Sequence, residues 1–136
     1  MTLPSLAELG ADLLVTTRRQ RIVTLARPYL GIGVFVLLVW FGLWWLTPLA
    51  MFAIFVAVVT ATHDVVHRTL GLRDRQTDLA LFLLGVVLLE SGHAYRVTHQ
   101  QHHRLFPDGD DPEGYPAKLS LFGAVCYGPV FLVRLW

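Results

Sequence analysis

From Tyr29 to Thr62 the chain runs for 34 residues without a charged side chain. A helix that crosses a bilayer needs about 20 predominantly apolar residues, so this run is too long for one ordinary span. Thr47-Pro48 breaks it, and proline suits the first turn of a helix, where no intrahelical N–H bond is lost. The pattern predicts an antiparallel pair: one helix from about Tyr29 to Leu46, and a second from about Pro48 onward. Trp40, Trp44 and Trp45 gather at the end of the first helix. Indole rings of this kind favour the membrane–water boundary. The second helix has no glycine or proline to stop it before Gly71, so its last turns are expected to leave the bilayer carrying polar side chains.

The rest of the chain agrees with a membrane class. Apolar residues make up 54% and charged residues 15%, and the mean hydropathy is +0.54. Soluble domains carry roughly 25% charge. There is no Lys/Arg-rich run of the kind that tracks phosphates, which argues against a nucleic-acid role. The single cysteine, Cys126, cannot form an intramolecular disulfide or a Cys-x-x-Cys site and is expected to be a small buried apolar residue. The N-terminus is not read as a signal peptide, because the first strongly apolar run begins only near Tyr29.

Residues 1–28 form an amphipathic, basic leader with Arg18, Arg19, Arg21 and Arg27. Residues 71–78 form a charged link. The next apolar run, Leu79 to Leu89, has 11 residues. At about 1.5 Å per residue it reaches roughly 17 Å, short of a core about 30 Å thick, so it should pack on the hairpin without crossing. Leu119 to Leu135 is apolar again and could begin another span. The expected fold is an all-α membrane protein: a transmembrane helical hairpin, a short non-spanning apolar helix, and histidine-bearing helices in the cytoplasm. This topology puts Arg18, Arg19, Arg21, Arg27, Arg68, Arg73, Arg75, Arg96, Arg104 and Lys118 on one face, which the positive-inside rule makes cytoplasmic.

All six histidines fall between residues 63 and 103. His63 and His67 are four apart, so on a helix they share a face. His99, His102 and His103 stand at i, i+3 and i+4 and share a face as well. Imidazole suits iron, zinc, copper or nickel. Five imidazoles exceed what one four-coordinate zinc needs, and no cysteine is near them. A larger centre, such as two irons, fits the count better. His93 lies off the His99 face and is a candidate outer ligand or hydrogen-bonding support. Bis-histidine haem ligation would need histidines inside facing spans, whereas these lie at helix ends. No Gly-x-Ser-x-Gly supports serine hydrolysis.

His63-Asp64-Val65-Val66-His67 and His99-Gln100-Gln101-His102-His103 match the HDxxH and HxxHH boxes of the membrane fatty acid desaturase family, and the chain resembles that family over about residues 29–118. Asp111-Pro112-Glu113 looks like the Asp-Pro pair that often follows the second box. The resemblance implies a membrane desaturase-like domain over residues 29–136, truncated before the family's third histidine box. It implies two irons, with His63, His67, His99, His102 and His103 as ligands. Electrons would come from a ferredoxin or cytochrome partner, and the substrate would be a lipid or acyl chain. Asp64 and Asp111 are candidates to accept an imidazole N–H and orient a ligand. Glu90 and Asp110 are weaker candidates of the same kind. The activity implied is O2-dependent fatty acyl desaturation. Two alternatives stand beside it: a carotenoid ketolase or hydroxylase of the same superfamily, and a non-catalytic membrane fragment lacking the third box.

Overall fold

The computed structural model describes residues 16–106, 111, 114–115, 118–120, 122–124, 126–127 and 130. Among these residues the structure is helical, with no strand. The chain divides into two compact units, Met1–Leu88 and Leu89–Trp136.

The first unit begins with α1, Arg18–Trp40. Its start corrects the sequence boundary near Tyr29. Thr17 and Gln20 form a capping box: the Thr17 side chain accepts from the Gln20 backbone N–H at 3.2 Å, and the Gln20 side chain accepts from the Thr17 N–H at 2.9 Å. This satisfies two N–H groups that would otherwise lack partners. Pro28 lies buried inside the helix. The stretch from Arg18 to Arg27 is therefore helix continuous with the apolar run. Residues 1–15 of that leader lie outside the described residues.

Helix α1 stops at Trp40, earlier than Leu46. Gly42, at φ +73°, donates its N–H to Val39, and Leu43 donates to Leu38. This is a Schellman turn with glycine at its left-handed position. A 3₁₀ turn, Trp44–Leu46, leads into α2, Thr47–Val66, with proline in its first turn as expected. The two helices pack antiparallel. Gly31 lets them approach closely, because a Cβ there would meet an Ile54 side-chain carbon at 2.8 Å. Both helices are long and apolar enough to cross a membrane. Trp40, Trp44 and Trp45 are all exposed at their shared turn.

Helix α2 ends at Val66, a turn before Leu70, and this too differs from the sequence expectation. Arg68 takes φ +57°, its N–H bonds Val65 O, and the Thr69 N–H bonds Asp64 O, each at 3.1 Å. This is the same Schellman pattern, built without glycine. The Thr16 hydroxyl donates to Thr69 O and ties the start of α1 to this turn.

Helix α3, Asp74–Leu88, extends the predicted apolar run backward into the charged link, which shrinks to 71–73. The Arg73 N–H donates to the Gln76 side chain at 3.0 Å and starts the helix. With 15 residues it spans about 22 Å and stays short of a bilayer core. It packs on α2. The buried positions are Val58, Ala61, Thr62, Val65 and Val66 on α2, and Thr77, Ala80, Leu81, Leu84 and Gly85 on α3. Both sets follow the i, i+3, i+4, i+7, i+8 pattern of one helix face. The core of the unit therefore lies along the C-terminal half of α2. The buried Thr62 hydroxyl donates to Val58 O at 2.8 Å, so it adds no unpaired polar group.

The second unit holds α4, Gly92–Leu105. Ser91 caps its start, accepting from the Ala94 N–H at 3.3 Å. Its last turn carries His102, His103 and Arg104, which suits the negative end of the helix dipole. Beyond α4, Asp111 and Gly114 are buried, and Tyr115 packs on Tyr127 with ring centroids 4.9 Å apart. Cys126 is exposed, which corrects the expectation of burial. An apolar neighbourhood in the sequence does not bury a residue when the surrounding medium can itself be apolar. The expected span at 119–135 lies in part outside the described residues.

Candidate metal centre

In the first unit, His63 sits in the last turn of α2 and His67 is its C-cap. The His67 N–H still bonds His63 O at 3.0 Å. The helical geometry therefore persists through the pair although the helix ends there. The two rings lie 4.4 Å apart, centroid to centroid, tilted by 52°. Both residues are exposed, because α3 covers the face carrying Thr62, Val65 and Val66. Asp64, a candidate acceptor, has its carboxylate 3.9 Å from His63 Nδ1, beyond hydrogen-bond range. Its backbone carbonyl instead takes the Thr69 N–H and hydroxyl.

In the second unit, the Nε2 atoms of His99 and His103 lie 3.2 Å apart on neighbouring turns of α4. Two nitrogens at that spacing, each about 2.0–2.1 Å from one ion, would subtend roughly 100° at it, as adjacent ligands do. The His99 ring is buried and the His103 ring stands perpendicular to it. Tyr95 stacks on His99 with centroids 5.3 Å apart and planes within 10°. The i, i+4 spacing of Tyr95 and His99 was the signal for this contact, and histidine counting passed over it.

His102 points elsewhere. Its Nδ1 lies 2.8 Å from both carboxylate oxygens of Asp111. Asp111 is only 4% exposed. An ionised carboxylate only accepts, so facing one Nδ1 is the donor of this contact. His93 is exposed on the first turn of α4, Glu90 is half-buried, and Asp110 lies outside the described residues.

Each unit thus presents a pair of imidazoles one helical turn apart, His63 and His67 in the first and His99 and His103 in the second. The donors are all imidazole, with no thiolate among them, which fits iron as well as zinc, copper or nickel. Searches of family models, curated proteins and solved structures find no match for this chain.

Proposed function

We propose that this chain carries the histidine ligands of a membrane-bound, O2-dependent iron oxidoreductase acting on a lipid, with fatty acyl desaturation as the reaction. The observation that carries the proposal is the His99–His103 pair on α4, with Nε2 atoms 3.2 Å apart, on a chain whose two long helices are apolar enough to cross a membrane. The two histidine-box patterns support the same reading.

In this reading His63 and His67 from α2, and His99, His102 and His103 from α4, supply nitrogen ligands to a centre that in the complete family holds two irons. Bound iron supplies the O2-dependent oxidation of an unactivated C–H bond, for which side-chain acid–base groups are too weak. The chain's own residues do the rest. Asp111 holds His102 in one tautomer and makes its Nε2 a better donor. Tyr95 stacking limits rotation of His99. The exposed apolar sides of α1 and α2 face lipid, and the substrate enters from that phase. The arginines at the start of α1 and around α3 support a cytoplasmic position for the histidines in this reading. A ferredoxin or cytochrome there delivers electrons.

The test is metal content and O2 consumption of the protein in lipid nanodiscs containing saturated acyl chains, with iron(II) and a reducing partner. Bound iron and new acyl double bonds are the expected result, with both lost in the His99→Ala/His103→Ala protein. Iron content unchanged in that protein would overturn the assignment.

A further inference from the structure

We infer that Gly114 is a positioning residue for the candidate metal centre: its missing side chain makes the space in which Asp111 holds His102. This rests on the metal-binding reading of α4.

Asp111 is nearly fully buried, and a buried carboxylate is costly unless it is paired and hydrogen-bonded. Its partner is His102 Nδ1, 2.8 Å from each oxygen. Gly114 is buried beside that carboxyl group. A Cβ at Gly114 would overlap Asp111 Oδ2 and stand 2.8 Å from the carboxyl carbon and 3.3 Å from Asp111 Cβ. Gly114 does not take a positive φ, so an alanine there meets no backbone obstacle. The three atoms it would approach most closely all belong to the Asp111 side chain, the carboxylate oxygen closest of all. The soft response is rotation of the Asp111 side chain, and that rotation removes the acceptor from His102. A methyl group at position 114 therefore acts on the imidazole of His102, which it does not touch.

The test uses the full chain in nanodiscs, metal-free and labelled with 15N-histidine. Long-range 1H–15N correlation spectra show which ring nitrogen of His102 carries the proton, assigned by loss of its signals in His102→Gln. The wild type is expected to show the Nδ1–H tautomer. Gly114→Ala and Asp111→Ala are both expected to lose it. Gly33→Ala, where an added Cβ meets nothing within 4 Å, should keep it. Cobalt(II) titration should then show each of the two variants binding about 10–100-fold more weakly. The Gly114→Ala/Asp111→Ala protein should be no weaker than Asp111→Ala alone, because both act through one contact. If Gly114→Ala folds poorly, Asp111→Ala in the same chain should restore its melting temperature, since the clashing oxygen is gone. Retention of the Nδ1–H tautomer in folded Gly114→Ala, or additive losses in the double variant, would overturn the inference. A tautomer that switches as stated in a protein that binds no cobalt would uphold the role of Gly114 and defeat the metal-binding reading.

Discussion

The Nε2 atoms of His99 and His103 face each other across one helical turn, 3.2 Å apart. Neither nitrogen needs to move far to share an ion, so α4 presents a preformed chelating pair. Preorganisation of this kind lowers the ordering cost of binding.

The first prediction follows from that pair. His103→Ala should weaken cobalt(II) or zinc binding by more than the roughly 10–100-fold that loss of an outer hydrogen-bonding partner costs. Isothermal titration on the nanodisc-embedded protein measures this. A loss smaller than that of Asp111→Ala would show that His103 is not a direct ligand.

The second concerns the end of α2. Arg68 occupies a left-handed position that glycine fills at the matching turn, Gly42. A non-glycine residue there costs about 1–2 kcal/mol. Arg68 also pairs with Asp74 at 3.0 Å, in an exposed setting where such pairs contribute little. Arg68→Gly and Arg68→Ala both remove the pair, and only glycine relieves the backbone. Glycine should therefore be more stable than alanine by about 1 kcal/mol in denaturant titration in micelles.

A third separates the protein core from the lipid-facing surface. Leu81 is fully buried between α3 and α2, while its neighbour Phe82 is 61% exposed. Leu81→Ala should destabilise the fold by about 2–5 kcal/mol. Phe82→Ala should change it by about 0.5 kcal/mol or less. Equal effects would mean that α3 packs through a different face.

The fourth places the hairpin turn. Trp40, Trp44 and Trp45 are 82%, 64% and 74% exposed. In a Trp136→Phe background their fluorescence should be quenched most by lipids brominated near the headgroup. Strongest quenching at the bilayer centre would contradict a spanning hairpin.

Much of this was legible in the residues. The uncharged stretch from Tyr29 to Thr62 and the break at Pro48 dictate two long apolar helices, because hydropathy and proline act locally. The four-residue spacings of His63 and His67, and of His99 and His103, dictate shared faces through helix geometry alone. The start of α1 was also written locally, in the capping box of Thr17 and Gln20, but it lies among charged residues, outside the uncharged run that marks the span.

Other relationships required the folded chain. Which side of α3 meets α2 depends on how Thr77, Ala80, Leu81, Leu84 and Gly85 fit against Val58, Ala61, Thr62, Val65 and Val66. In apolar surroundings, lipid competes with protein for every such face, so hydropathy alone does not choose. The pairing of Asp111 with His102, and the space that Gly114 leaves for it, arise only when the chain beyond α4 turns back on its last turn. Sequence by itself determined which residues could act as ligands, since helix periodicity is a local property. Tertiary structure decided that His102 is held by a buried carboxylate, because that contact forms only when the chain closes on itself.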